Sequence, residues 1–292
     1  MNVKEYHETV AERLIAAIEA GTAPWLKPWR PGETALPFNA VTSKQYQGIN
    51  PILLMSTGYG DPRWIGFAQA KAKGARVRKG EKGTPIIRVM PARPLLDDDG
   101  APELDDDGQQ RRLPPRIKVL HVWNVNQVDG LDLPPIGRPP EKHEWEACER
   151  AEQAITQSGV QIENVPSDRA FYNKNADRIV LPLREQFPTA LGYYHTALHE
   201  LAHASGHPDR LNRPTLVEHD GFGTEKYARE ELVAEIASVM AGARLGTGSE
   251  PQHGAAYCKS WIKALRDDTR EIVRAAHNAQ LAANWICTGG NR

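Results

Sequence analysis

The sequence predicts an α+β protein of two domains, on three observations. The chain has 292 residues, more than one ordinary core accommodates. A proline-rich stretch from Leu131 to Lys142, LDLPPIGRPPEK, interrupts it near the middle and reads as a linker. On both sides of that stretch, segments of helical period are interspersed with short runs of strand character. The expected division is a first domain over 1–130, a linker over 131–143 and a second domain over 144–292.

Bulk properties narrow the class. Charged residues make up 25% and hydrophobic residues 40%, as in an ordinary soluble globular protein, and the net charge of -1 names no partner. The three cysteines, Cys148, Cys258 and Cys287, form no CxxC pair, which argues against a disulfide framework or a thiolate metal site. No stretch approaches the roughly 20 apolar residues that span a bilayer. The N-terminus carries acids throughout and lacks the continuous apolar core of a signal peptide. A cytoplasmic protein with no membrane partner is expected.

Along the first half, Val3, Tyr6, Val10, Leu14 and Ile18 recur at helical spacing up to Ala20, where Gly21 ends the helix. PWLKPWRPG, Pro24 to Gly32, is too rich in proline for helix. Helical patterns return around Ile52 and over Phe67–Lys73, and IKVLHVWNV, Ile117 to Val125, alternates as a strand does. Between them lies a run of acids, Asp97, Asp98, Asp99, Glu103, Asp105, Asp106 and Asp107, punctuated by glycine and proline. It reads as a mobile acidic loop, without the ligand pattern of a calcium loop. In the second half a helix is expected over Glu144–Ser158, and short strands near 160–162, Phe171 and Arg178–Leu181. Helices follow near 191–206, 226–245 and 255–287, the last one broken. No internal repeat is expected.

The chemistry concentrates in LGYYHTALHELAHASGH. Leu191, Tyr194, Leu198, Leu201 and Ala202 form an apolar stripe, so this segment is a helix. Residues four apart share a face, and His199 and His203 can present two imidazoles to one cation while Glu200 acts as general base on a metal-activated water. Two histidines and a glutamate on an otherwise apolar helix need a partner of this kind. A third ligand is required. Glu231, in YAREELVAEIASVMAG, is the better candidate, because Glu235 lies one turn on and can support a ligating histidine, as in gluzincins. Glu235 itself is an alternative. Asp209 is another, since His199, His203, Gly206 and Asp209 satisfy HExxHxxGxxD, and His207 is a weaker one. The expected ion is Zn²⁺. Tyr193, Tyr194, Tyr227 and His207 are all possible donors to a developing oxyanion, and the sequence does not choose among them.

From Lys71 to Arg93 the chain carries eight cations against Glu81 alone. Lys71, Lys73, Arg76, Arg78, Lys79 and Lys82 sit around GARVRKGEKG, where glycines allow close approach of phosphates. Trp25, Trp29, Phe38, Tyr46, Tyr59, Trp64 and Phe67 lie upstream, and rings of this kind stack on the bases of single strands. Together these are a nucleic-acid footprint, although tryptophans are more often core and a basic turn is often merely solvated.

Taken together, PWLKPW, PFNAVTSKQYQGIN, WIGFAQAKAKGARVRKGEKG and HVWNVNQVDGL resemble the N-terminal domain of ArdC-type antirestriction proteins, which is also similar to part of some plasmid primases. FYNKNADRIVLP, LHELAHASGHPDRLNR and YAREELVAEIAS resemble the zincin-like domain of the same family. The resemblance implies an N-terminal α+β domain that binds single-stranded DNA and a gluzincin-type metallopeptidase domain with a small sheet over its active-site helix. It implies a conjugative-plasmid protein that shields incoming DNA from host restriction endonucleases. His199, Glu200 and His203 match the family's HExxH, and Glu231 and Glu235 its downstream acids; the family's position at Asp209 is not reliably acidic. The DNA-binding candidates are Lys44, Tyr46, Trp64, Lys71, Lys73, Arg76, Arg78, Lys79 and Lys82, with Tyr46 and Trp64 as stacking residues. Two further roles stay open: a working zinc endopeptidase acting on a protein such as a restriction endonuclease subunit, and a metal that only braces the fold.

Overall fold

The computed structural model of the chain describes residues 2–26, 36–97, 99, 101–105, 107–134, 148–218, 224–250 and 254–290, the side chains of 254–256 excepted. Trp29, Asp98 and Asp106, most of the proline-rich linker and the expected helix start at 144–147 lie outside the described residues.

The first half opens with α1 (Val3–Glu19), whose stripe of Tyr6, Val10, Leu14 and Ile18 is buried. A capping box starts it: Asn2 Oδ1 accepts from the Glu5 amide at 2.9 Å and Glu5 accepts from the Asn2 amide at 3.0 Å. Then come β1 (Phe38–Asn39), α2 (Ile49–Met55), β2 (Arg63–Gly66), α3 (Phe67–Ala72), β3 (Arg76–Val77), β4 (Thr84–Met90), β5 (Arg93–Pro94), β6 (Arg112–Leu113), β7 (Arg116–Asn124) and β8 (Val128–Asp129). One sheet has the order β1-β2-β7-β4, with β4 and β7 antiparallel in register from Thr84↔Val122 to Met90↔Arg116. β3 pairs with β8, and β5 with β6.

The acidic segment is built rather than structureless. LDDDG occurs twice, at 96–100 and 104–108, a short repeat that a search for longer periods passes over. Asp97 Oδ1 accepts from the amides of Asp99 and Ala101 at 3.1 and 2.8 Å, and Asp105 Oδ1 repeats the pattern with Asp107 and Gln109. Each turn is closed by a bridge, Leu96↔Pro102 and Leu104↔Gln110.

The second half contains α4 (Glu149–Gln157), β9 (Gln161–Val165), β10 (Phe171–Asn173), β11 (Arg178–Pro182), α5 (Ala190–Ser205), α6 (Pro214–Val217), α7 (Glu225–Leu245), α8 (Gly254–Asp267) and α9 (Glu271–Cys287). The expected break in the last helix falls between α8 and α9. The sheet β10-β11-β9 lies against α5, and α7 packs between α5 and α9. Thr189 caps α5 and Thr224 caps α7, each side chain accepting a backbone amide. α7 ends at Gly246, whose φ of 83° suits glycine.

The largest buried apolar cluster draws on both sides of the proline-rich segment. Tyr6, Leu14, Trp25, Ile49 and Ile52 share it with Leu198, Leu232, Trp261, Ala276 and Trp285. α1 lies against α8 and α2 against α9, so the first helices of the chain help to support the helices that carry the candidate site.

Candidate metal centre and basic surface

Helix α5 turns Leu198, Leu201 and Ala202 into the core, which leaves His199 and His203 facing α7. Their Nε2 atoms lie 3.2 Å apart. Glu231 reaches them from α7, at 3.5 Å from His199 Nε2 and 3.3 Å from His203 Nε2. A tetrahedral ion bound at about 2.1 Å holds its ligand atoms roughly 3.4 Å apart, so these three donors fit one. The charge balance agrees. Glu230, Glu231 and Glu235 are buried here against Arg213, and with neutral, metal-ligating imidazoles a divalent cation offsets the excess negative charge.

The two imidazoles are backed by carboxylates at different distances. His203 Nδ1 donates to Glu230 at 3.1 Å. Glu230 in turn accepts from Arg213 Nε at 2.8 Å and from the Thr215 hydroxyl. His199 Nδ1 faces Glu235 at 3.9 Å, Glu235 faces His195 Nε2 at 3.5 Å, and Ser249 Oγ lies 3.1 Å from His195 Nδ1. The Glu230 contact fixes the tautomer and ring orientation of His203. His195, His199 and Glu235 also cluster closely enough to form a second donor group.

Electrostatics follow from this packing. Burial pushes the Glu231 carboxyl up, but hydrogen bonds from His199 and His203 outweigh it and hold the group far below the usual carboxylate range. Burial works against Glu230 as well, and Arg213 with His203 overcomes it, setting the carboxyl at about 2. For Glu200 burial prevails over the pull of His199 and His203, and its carboxyl is raised. Glu200 lines a cavity of about 780 Å³ together with the three donors, Tyr227 and Tyr257. A buried carboxyl raised in this way is suited to proton transfer.

The alternatives for the third ligand separate clearly. Asp209 is 90% exposed and sits 3.6 Å from His207, away from the donors. The chain turns off after Gly206, so HExxHxxGxxD does not close on the ion. Gly206 has another use: a Cβ there would come within 2.8 Å of the Arg213 guanidinium that braces Glu230. Among the oxyanion-donor candidates, Tyr194 instead donates to Glu152 at 2.7 Å, and Tyr193 packs on Phe187 under Arg184. Of those named from the sequence, Tyr227 lines the cavity, joined by Tyr257 of α8. Residue reasoning missed Glu230, Arg213, His195, Ser249 and Tyr257. His195 had a signal, since His195, His199 and His203 recur every fourth residue.

The basic candidates divide. Lys44, Lys71, Lys73, Arg76, Lys79 and Lys82 are exposed and make no ion pair among the described residues. Arg78 differs: it bonds to Glu81 at 2.9 Å and to the Asn126 carbonyl, with Asp129 at 3.7 Å, and so shapes the turn. Gln127 completes the clamp by donating to Glu81 at 2.9 Å and to the Lys82 carbonyl at 3.1 Å. Trp64 is a correction. It is 1% exposed, enclosed by Leu54, Ile86 and Val122, and has no face to offer a base. Tyr46 is half-buried against the same cluster.

Two family models match the chain: the N-terminal domain of anti-restriction factor ArdC over residues 4–123, and a zincin-like metallopeptidase over 149–278. The crystal structure of the metal-free antirestriction ArdC protein from plasmid R388 superposes with a TM-score of 0.77 at 33% identity, covering 98% of this chain and 99% of that one. A Mn(II)-bound structure of that protein aligns with a TM-score of 0.77 at 31% identity, covering 100% of this chain and 99% of that one. Two Escherichia coli proteins described as DNA primase TraC are 48% and 47% identical over 97% of this chain. The chain spans only 20% and 27% of their lengths. Among the described residues no helix is long and apolar enough to cross a membrane.

Proposed function

The chain belongs to the ArdC family of antirestriction proteins, and from that membership we propose that it binds single-stranded DNA and protects incoming conjugative plasmid DNA from the recipient's restriction endonucleases. The observation that carries this reading is the set of exposed cations Lys71, Lys73, Arg76, Lys79 and Lys82, without an ion-pair partner among the described residues, within the segment from α3 to β4. Phosphates are the counter-charge such a run lacks, with Lys44 nearby in sequence as a further contact. Arg78 acts by holding the turn rather than by meeting DNA. Fluorescence anisotropy of a labelled single strand should show binding that weakens steeply as salt rises. Reversing Lys79 and Lys82 to Glu should weaken it for every sequence alike. Binding that ignores both salt and these charges would remove the reading.

A second reading, a zinc endopeptidase, is favoured by Glu200 lining the cavity beside the donors and by β10, the outer strand of its sheet among the described residues, which also lines it. His199, His203 and Glu231 would hold the ion, Zn²⁺ by donor type, and once bound it would supply a Lewis acid and a water acidified toward about 7. Glu200 would accept a proton from the attacking water, and Tyr227 or Tyr257 would donate to the oxygen that gains charge. A restriction endonuclease subunit is the protein substrate this reading allows. Glu200→Gln should retain metal and lose any cleavage of an unstructured protein. If Glu200→Gln still protects transferred DNA in a conjugation assay, peptide hydrolysis is not the means of protection.

A further inference from the structure

Phe67 is the most exposed aromatic ring among the described residues, at 59%. A phenylalanine left in water forgoes burial that the fold elsewhere exploits, and exposed rings set among cations are a recurrent feature of nucleic-acid surfaces. Its position is fixed rather than incidental. As first residue of α3 it packs on the half-buried Trp123 of β7, ring centroids 5.9 Å apart at 59°. Trp123 is seated in turn on Gly83, where a Cβ would lie 2.8 Å from its ring. A ring held by a ring that rests on backbone loses little freedom when a ligand settles on it.

The charges around this pair are one-sided. Lys71 follows Phe67 by four residues and shares its helix face, and Lys73 closes the helix. Lys79 and Lys82 lie in the turn that leads into Gly83. Glu81, the acid of that turn, is already engaged by Arg78 and Gln127.

We infer that Phe67, backed by Trp123, is the base-stacking platform of this chain, with Lys71 and Lys82 on the flanking phosphates of a single strand. This rests on the single-strand reading proposed above and names the ring that carries it, in place of Trp64 and Tyr46. A duplex keeps its bases stacked inside and offers none to such a ring, whereas a single strand presents one without further cost.

The test uses the full chain and a fluorescein-labelled oligo(dT), with anisotropy read across a salt series. Phe67→Ala should bind roughly tenfold more weakly at every salt with the salt slope unchanged, because stacking releases no counterions. Phe67→Trp should restore the affinity. The wild type should lose a similar factor on an oligonucleotide of abasic sites, and Phe67→Ala should lose nothing more. Lys71→Ala with Lys82→Ala should instead flatten the slope, by about 1.4 for two phosphate contacts. An unchanged melting temperature in Phe67→Ala, expected of so exposed a side chain, separates lost contact from lost fold. If the wild type binds and Phe67→Ala binds within twofold of it, this inference is overturned while the single-strand reading stands. If the wild type binds no single strand at any salt, that reading falls and takes this one with it.

Discussion

Glu230 reaches the metal donors through His203, yet its replacement should be felt by the metal. Its carboxylate accepts a hydrogen bond from His203 Nδ1–H at 3.1 Å, which leaves Nε2 free to ligate. Glu230→Gln should weaken divalent-metal affinity about 10–100-fold by titration calorimetry, the usual cost of losing a partner of this kind. It also strands Arg213, 3% exposed, without its counter-charge, which costs on the order of 3–5 kcal/mol and should lower the melting temperature even in chelator. Affinity and stability both unchanged would mean that Glu230 merely fills space. The same carboxyl sets a pH dependence. Its folded value of about 2 lies below the unfolded value near 4.5, so its stabilisation is complete above that unfolded value and disappears as pH falls toward 2. Acid unfolding of the metal-free chain should therefore be steep across that window, and less steep in Glu230→Gln.

At the scale of elements, α7 carries much of the site and depends on close packing beside its C-terminus. A Cβ on Gly242 would collide with the Gly248 carbonyl and come within 3.0 Å of Thr247 Oγ1. The neighbouring residue Ser249 lies against His195, so that turn is part of the support of the site. Gly242→Ala should cost about 1–3 kcal/mol as overpacking and loosen metal binding together with stability; a melting temperature equal to wild type would show that the turn yields freely. Elements also mark where the sequence was legible. His199, Glu200 and His203 could be read because four-residue spacing is a property of one helix. Glu231 and Glu235 could be read because acids on an apolar helix demand partners. Arg213, Glu230 and Ser249 could not, since what joins them is the closure of separate segments over Gly206 and Gly242. Trp64 misled for a related reason: composition marks an aromatic residue, but only sheet register places it on the side that faces Leu54 and Ile86. The paired acidic turns were missed because LDDDG is short, although each owes its shape to a local Asp side chain.

For the whole molecule, what matters is that one core serves both halves. Tyr6, Leu14 and Trp25 are fully buried, and α1 is further tied to α8 where Arg266 donates to Glu19 at 3.0 Å. A cut at the proline-rich segment would expose this cluster on both fragments, so the halves should not be expected to behave as independent domains. The intact chain should melt in a single calorimetric transition. A divalent ion bound near α5 and α7 stabilises only the folded state, by about 4 kcal/mol when it is a thousandfold above its dissociation constant. Chelation should then shift the whole transition downward, on the order of 10 °C for a chain of this size. Leu14→Ala, remote from the donors in sequence, should lower that same transition by about 2–5 kcal/mol with or without metal, because its cavity opens in the shared core. Two resolved transitions, only one of them sensitive to chelator and the other alone to Leu14→Ala, would show that the halves fold separately and that the continuity of the core carries no energetic coupling.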